Sequence, residues 1–323
     1  MMIVFQNQII YMPSIPPGAR RERIEDYAGE CSGIRWVEER ILAADGVELG
    51  MCVGENVNAH NATVAGKGHG VDKHVIILYF QGNASSLPPR LPLLSNVLRD
   101  LERASNPRVK YTLVALSYRG YWTSRGRASQ KGIERDALAA HDWIHRTYFG
   151  PNADAPPARH RAALVLWGQS IGAGVATGLA AHQAHTQSRG HVPYIPLILE
   201  TPFLSIPSML KALYPQRWLP YRYLSPFLRN WWDSETAIAR IGVAHRKARE
   251  TERKAPVIII TAANDELVPT HQATRLEALC TEFGLEVQRQ DVSGALHTEA
   301  TTRAEGRHAV VQFLKAIGER KGD

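Results

Sequence analysis

Short apolar runs alternate along the chain with longer segments whose apolar residues recur at helical spacing. This alternation predicts an α/β fold, in which a mostly parallel central sheet is covered by helices on both faces. Strands are predicted over 74–80, 111–118, 162–168, 194–200, 256–262 and 285–292, and helices over 91–104, 130–146, 171–187, 270–283 and 304–317. The segments IRWVEERI and VELGMCVGE, on either side of Asp45-Gly46, predict an antiparallel hairpin ahead of them.

The stretch from Thr201 to Asp233 differs from the rest of the chain. It holds 8 of the 25 aromatic residues and several prolines, and it fits neither strand alternation nor one long helix. We therefore expect a small cap over residues 204–236, laid over the strand ends after the sixth strand. The remaining chain is then an extended N-terminal arm, residues 1–33, and a core in two parts, 34–203 and 237–323.

The charge balance limits the classes of partner. The 323 residues include 38 Lys and Arg against 31 Asp and Glu, a net charge of +7, but the basic residues are scattered in short groups. Scattered charge is typical of a solvated surface and argues against a nucleic-acid groove. It leaves peripheral contact with an anionic membrane open. The oligomeric state does not follow from these features.

The apolar start of the chain resembles neither a leader nor a membrane span. It has no cationic region, and prolines interrupt it well short of the roughly 20 residues that cross a bilayer. We therefore predict no signal peptide and no complete transmembrane helix in this chain. The localisation stays open between the cytoplasm and the periphery of endomembranes.

Neither a metal, a cofactor nor a disulfide framework is predicted. Three cysteines without paired spacing are interpreted as buried free thiols: Cys31, Cys52 and Cys280. His141 and His145 have i,i+4 spacing but lack the glutamate of a zinc-protease motif, so we expect them at the surface. Three more histidines are interpreted as a chance grouping: His182, His185 and His191.

The segment LVLWGQSIGAGVATG places Ser170 between Gly168 and Gly172 at the end of a predicted strand. A dinucleotide cradle would need a third glycine where Thr177 stands, and the chain has no P-loop motif. A nucleophile elbow, G-x-S-x-G, fits at every position. Its serine adopts strained dihedral angles, and side chains two residues away on either side would collide. The pattern therefore predicts Ser170 as a nucleophile.

Two downstream residues follow in the hydrolase order serine, acid, histidine. Asp265 comes just after the strand that ends at Ala262, where a loop would present a carboxylate to the site. Glu200, at the end of the preceding strand, is the rival carboxylate. His297 lies in a loop before the last predicted helix, from which an imidazole could reach both partners.

Acyl transfer also needs N–H donors aimed at the oxyanion that develops in the reaction. Ile171, directly after the nucleophile, would supply one backbone N–H, and the loop FQGNASS would supply the other from Asn83. An apolar acyl pocket is expected from four side chains in or beside the cap: Phe203, Met209, Trp218 and Phe227.

These motifs together resemble the α/β-hydrolase-domain serine hydrolases, whose fungal members are the bud-emergence (Bem-type) hydrolases and whose animal relatives include lysophospholipid lipases and protein depalmitoylases. The similar segments cover most of the chain and include YFQGNASS, SYRGYWTSRGRASQKGIERDALAAHDWI, GQSIGAGVA, LILETPFLSIPSM and NDELVP. The resemblance implies an α/β-hydrolase fold with a triad of Ser170, Asp265 and His297. The chain departs from the family pattern at Gln81, Ser117 and Trp122, where the family has histidine, aspartate and glycine.

The function expected on these grounds is a serine hydrolase that cleaves a carboxylic ester or thioester of an acyl or lipid type. Two alternatives stay open. One is a catalytically silent hydrolase fold that serves as a scaffold at a membrane. The other is a peptidase of the prolyl-oligopeptidase type, which shares the triad order but usually has a further glycine where this chain has Ala173.

Overall fold

The computed structural model describes residues 2–57, 71–150, 162–186, 194–216, 225–247 and 254–320. Within these ranges eight strands form one sheet: β1 (Ile34–Leu42), β2 (Glu48–Asn56), β3 (Lys73–Phe80), β4 (Val109–Leu116), β5 (Ala162–Gln169), β6 (Leu197–Glu200), β7 (Val257–Ala262) and β8 (Val287–Val292). The predicted strands are confirmed with small shifts. The strand expected from 194 begins only at Leu197, because Pro196 has no N–H to donate to a neighbouring strand.

The strand order across the sheet is β1-β2-β4-β3-β5-β6-β7-β8. The hairpin of β1 and β2 is antiparallel and joins β4 in the antiparallel sense, whereas all other neighbouring pairs are parallel. The carboxyl ends of the parallel strands therefore meet at one edge of the sheet, which is where ligand sites of open α/β sheets are found.

The α-helices of the described ranges are α1 (Met2–Ile10), α2 (Leu91–Ala104), α3 (Gln130–Ile144), α4 (Ile171–Thr186), α5 (Ile206–Leu213), α6 (Ser234–Lys247), α7 (Thr270–Glu282) and α8 (Ala304–Glu319). Helices α2 and α8 pack on one face of the sheet, and α3, α4, α6 and α7 pack on the other. The prediction of a mostly parallel sheet with helices on both faces is confirmed.

Strand β3 shows why the sequences of the central strands are continuously apolar. Ile76, Leu78 and Phe80 belong to the core on the α4 side, and alternate residues such as Ile77 and Tyr79 belong to the core on the α2 side. All five side chains are fully buried. Because both faces of a parallel sheet are covered, neither face needs polar side chains.

The N-terminal segment is not extended as predicted. Residues 2–10 form α1, and two short 3₁₀ turns follow at Ala19–Arg21 and Ile24–Tyr27. The apolar run before Pro13 contains no glycine or proline, so nothing prevents its backbone from closing helical hydrogen bonds. No helix in the described ranges has both the length and the apolar character needed to cross a bilayer.

The region predicted as the cap is described in part. It contains α5, a 3₁₀ turn at Ser225–Phe227 and the first residues of α6. No residue of α5 is fully buried. The boundaries proposed for the arm, core and cap stay predictions. The expectation of buried free thiols is confirmed for all three cysteines.

Candidate active site

The turn between β5 and α4 brings Ser170 to the carboxyl edge of the sheet with a φ of 53°, in the left-handed region. A Cβ on Gly168 would lie 2.1 Å from the carbonyl oxygen of Gly172, and a Cβ on Gly172 would lie 2.2 Å from the carbonyl oxygen of Phe80. Real side chains do not approach backbone so closely. The expected collision is confirmed, so glycine is required on both sides of Ser170.

The main chain holds the turn in place. The Ser170 N–H donates to the carbonyl oxygen of Glu200 on the neighbouring strand at 2.8 Å, and the Ser170 carbonyl accepts from the N–H of Ala173 at 2.9 Å. Helix α4 begins at Ile171, so its unpaired N-terminal N–H groups and its positive dipole end lie beside the serine.

The structure brings Ser170, His297 and Asp265 together in one line. The Oγ of Ser170 is 2.9 Å from Nε2 of His297. The Nδ1 of the same imidazole is 2.8 Å from Oδ2 and 3.0 Å from Oδ1 of Asp265. Three residues separated by as many as 127 positions in sequence therefore form one continuous hydrogen-bonded chain.

The charge on Asp265 determines the direction of these hydrogen bonds. Burial raises the pKa of this carboxyl, but hydrogen bonds from His297 and from the N–H groups of Leu267 and Val268 outweigh burial and lower it overall. An ionised carboxylate can only accept, so Nδ1 of His297 carries the proton and Nε2 is left to accept from the Ser170 hydroxyl. This is the tautomer that a general base needs.

His297 is also held through its main chain. Its N–H donates to Oε2 of Glu266 at 2.9 Å, and the residue is only 4% exposed. The loops that carry Asp265 and His297 are joined further by the N–H of Asn264, which donates to the carbonyl of Ala295. This role of Glu266 was not predicted, since no local pattern in the sequence marks a carboxylate that will accept a distant N–H.

The rival carboxylate, Glu200, lies in a different environment. Its side chain is fully buried and accepts from Trp167 Nε1 at 3.1 Å, Gln169 Nε2 at 3.3 Å and Thr301 Oγ1 at 2.6 Å. Burial raises its pKa, against the lowering effect of the Thr301 hydrogen bond. Within the described residues it makes no hydrogen bond to His297, so its side chain supports the elbow from within the core.

The predicted oxyanion donors belong to two different elements. Ile171 is the first residue of α4, and Asn83 lies in the loop after β3. That loop is strained, because Ala84 and Ser85 have φ values of 61° and 62°. Gln81, which replaces the family's histidine, is 1% exposed, and its amide has no hydrogen-bond partner among the described residues.

The four predicted pocket residues do not share one environment. Phe203 is 5% exposed and packs in the core, Met209 is half-buried against the same core, and Phe227 is 57% exposed. Trp218 lies outside the described residues. The acyl pocket and the contact with a membrane stay predictions.

One histidine expected at the surface is buried. His141 is 6% exposed, because its ring packs against His145 at 4.3 Å between centroids, tilted by 42°, and lies within hydrogen-bond distance of Gln183. Burial lowers the pKa of His141. Among the described residues no group of three metal-ligating side chains is close enough to hold an ion, and His191 lies outside them.

Comparison with known proteins gives sequence relatives but no matching family model. Protein bem46 of Schizosaccharomyces pombe is 28% identical over 204 residues, which are 63% of this chain and 56% of bem46. The lysophosphatidylserine lipase ABHD12 of Danio rerio is 31% identical over 210 residues, which are 65% of this chain and 48% of the lipase. The chain thus spans about half the length of these relatives.

The fold also has close structural counterparts. The crystal structure of an α/β-hydrolase from Vibrio vulnificus superimposes with a TM-score of 0.61 at 17% sequence identity, covering 97% of this chain and 91% of that one. At this level of identity the match shows the fold.

Proposed function

We propose that this chain, which has the α/β-hydrolase fold and is similar in sequence to bem46 and ABHD12, is a serine hydrolase that cleaves a carboxylic ester or thioester through an acyl-enzyme. The proposal is supported above all by one observation, the chain of hydrogen bonds from Ser170 Oγ through the His297 imidazole to Asp265 at 2.9 and 2.8 Å. Nothing in a purely structural role requires a hydroxyl, an imidazole and a carboxylate in this order.

In the first half of the reaction, Ser170 Oγ attacks the carbonyl carbon of the substrate while its proton passes to Nε2 of His297. The charge that develops on the carbonyl oxygen is taken by the backbone N–H groups of Ile171 and Asn83. The tetrahedral species then collapses, the ester or thioester bond breaks, and the alcohol or thiol leaves with the proton from Nε2. Asp265 stabilises the imidazolium throughout.

In the second half, water takes the place of the departed alcohol or thiol, and the acyl-enzyme is hydrolysed by the reverse series of steps. Nε2 of His297 takes a proton from water as its oxygen attacks the acyl group on Ser170. Collapse of the second tetrahedral species releases the acid and returns the proton to Ser170. No metal or redox group takes part in this scheme.

The substrate class we propose is an ester or thioester of an apolar acyl group. ABHD12 is named as a lysophosphatidylserine lipase, and residues 201–233 of this chain, which follow β6 in sequence, hold 8 of the 25 aromatic residues. Apolar walls with a few placed polar groups are typical of sites for such ligands.

A fluorophosphonate probe tests the nucleophile directly, because it phosphonylates only an activated serine. We expect the wild-type protein and the Ser293→Ala control, an exposed serine far in sequence from the elbow, to be labelled, and the Ser170→Ala variant to stay unlabelled. Labelling that persists in Ser170→Ala would contradict the assignment of the nucleophile. An unlabelled wild-type protein would favour the silent scaffold.

A series of p-nitrophenyl esters from acetate to dodecanoate, with matched thioesters, tests the substrate class. We expect kcat/KM to rise with acyl length before it levels off. A preference for acetate would contradict a long acyl site. Faster cleavage of peptide anilides than of any ester would favour the peptidase alternative.

A further inference from the structure

The N-terminal segment, residues 6–22, lies beside the predicted oxyanion loop, residues 80–86, and makes several hydrogen bonds to it. The Ser85 N–H donates to the carbonyl of Ile15, and the hydroxyl of Ser86 donates to the carboxylate of Glu22. The same segment continues to the loop after β4, where the indole N–H of Trp122 donates to the carbonyl of Glu22 at 2.8 Å. The oxyanion loop therefore has a neighbour that lies some seventy positions away in sequence.

The side chain of Asn83 makes the central contact. Its Nδ2–H donates to the carbonyl of Ile10 at the end of α1, and its Oδ1 accepts from the N–H of Met12 at 3.3 Å. The hydroxyl of Tyr121 donates to the same Oδ1 at 2.8 Å. Both ends of the amide are thus used, and a side chain with a donor and an acceptor in this geometry fixes the orientation of its own backbone.

The loop needs such a support, because its backbone is strained. Ala84 and Ser85 have positive φ values in succession, at 61° and 62°. A positive φ is unfavourable for a residue that carries a side chain, and it persists only where the surroundings impose it. Gln81 does not supply the restraint, since its buried amide has no hydrogen-bond partner in the described ranges.

The N-terminal segment is itself fixed on its other side. The Tyr11 hydroxyl donates to Oδ1 of Asn230 at 3.0 Å and accepts from the indole N–H of Trp232 at 2.9 Å. The Nδ2–H of Asn230 donates to Oδ1 of Asn7 at 2.7 Å. Tyr11, Asn230 and Trp232 are all buried, so this network can restrain the segment far better than a surface contact could.

We propose that Asn83 is a positioning residue. Its side chain is held by residues 6–12 of the N-terminal segment, and this support orients the backbone N–H of Asn83 toward the substrate carbonyl beside Ser170. This inference rests on the proposed serine hydrolase function. It assigns to residues 6–12 a part in the reaction, although none of them touches the substrate. A misplacement of about 1 Å in such a site can lower the rate about a hundredfold.

The test compares Asn83→Ala with the wild-type protein on one p-nitrophenyl ester. The backbone donor is retained in the variant but its support is lost, so we expect kcat to fall about 10- to 100-fold with KM changed less than about threefold. Inhibition by an alkyl trifluoromethyl ketone, which places an oxyanion in the same site, should weaken by the same factor as kcat. Asn106→Ala, the same substitution in an exposed turn, serves as the control and should leave all three quantities unchanged.

Tyr121→Phe is the second variant, because it removes the hydroxyl that donates to Asn83 Oδ1 and keeps the aromatic ring. We expect its kcat to fall about 3- to 10-fold, again matched by the ketone. A wild-type kcat for folded Asn83→Ala would overturn the proposal, and if that variant does not fold, a wild-type kcat for Tyr121→Phe would do so. A parallel loss of folded protein with unchanged kcat per folded molecule would also overturn it. An inactive wild-type protein would instead refute the proposed function itself.

Discussion

The elbow around Ser170 and the described part of the cap region are built in opposite ways. A Cβ added to Gly168 or Gly172 would lie 2.1 or 2.2 Å from a backbone oxygen, so no side chain can be added there without moving the backbone. In the cap region α5 buries no residue completely, and Phe227 and Trp231 are 57% and 42% exposed. We therefore expect the elbow to tolerate almost no change in sequence, and the exposed residues of the cap region to tolerate many, in contrast to the buried Asn230 and Trp232 of the same region.

This difference assigns different tasks to the two regions. Bond-breaking requires atoms held to a few tenths of an ångström, which only a densely packed support provides. On the proposed function, selection among acyl groups requires a surface that can vary, and the exposed residues of the cap region can change without disturbing the sheet. Variants at these exposed residues should therefore leave the elbow intact.

The largest effect is expected for His297→Ala. Loss of the base should lower kcat about a millionfold if chemistry limits the rate. The melting temperature should change far less than this loss suggests, because the only side chains that hydrogen-bond to the imidazole within the described ranges are those of Asp265 and Ser170. Steady-state kinetics and thermal denaturation of the same preparation measure both. Turnover within tenfold of wild type would place the base elsewhere.

The next largest effect is expected for Asp265→Asn, at about ten-thousandfold in kcat, because the amide favours the wrong imidazole tautomer. The pKa of Asp265 is lower in the folded state than its ordinary value. Its charge therefore stabilises the fold above the unfolded pKa of about 3.9, and this contribution is lost as the pH falls through the folded value.

The gap in melting temperature between wild type and Asp265→Asn should accordingly be full near neutral pH and close as the pH falls through the folded pKa. Thermal denaturation of both proteins over a pH series measures it. A gap that widened toward acid would show that the carboxyl is protonated in the folded state.

Alanine substitution of two phenylalanines compares the contributions of the core and of the cap region to stability. Phe203 is buried in the core, so Phe203→Ala should lower the free energy of unfolding by about 3–5 kcal/mol. Phe227→Ala should change it by no more than about 0.5 kcal/mol, because the ring is already in solvent. Urea denaturation gives both values. Equal losses would mean that the cap is packed as tightly as the core.

The smallest effects on stability are expected for alanine substitutions at two glycines of α4. A Cβ on Gly172 would meet the carbonyl of Phe80 at 2.2 Å, whereas a Cβ on Gly178 would meet nothing within 4 Å. Gly172→Ala should destabilise the fold by about 1–3 kcal/mol or more, and Gly178→Ala should stabilise it by about 0.5–1 kcal/mol. Chemical denaturation of both variants checks the signs. Stabilisation by both would mean that the elbow is less crowded than its geometry indicates.

Much of the site was predictable because its features are local or follow from strand order. The pattern G-x-S-x-G reports a steric conflict within five residues, and Asp265 and His297 follow strands whose ends must meet at one edge. The extended arm was predicted wrongly over residues 2–10, since an apolar run of that length is compatible with either conformation. His141 was predicted at the surface but is buried, because its burial depends on contacts with both His145 and Gln183.

What the sequence by itself determined are the strands, the helices α2, α3, α4, α7 and α8, and the order of the three site residues, because hydrophobic periodicity and glycine sterics act over short distances along the chain. Only the tertiary structure decided that Glu200 supports the elbow from within the core, that Glu266 holds His297, and that Asn83 is supported by the end of α1. These contacts join residues from 31 to 101 positions apart. Such pairs carry no local signature, since any buried polar group will accept whichever partner the packing of the sheet and helices brings within reach.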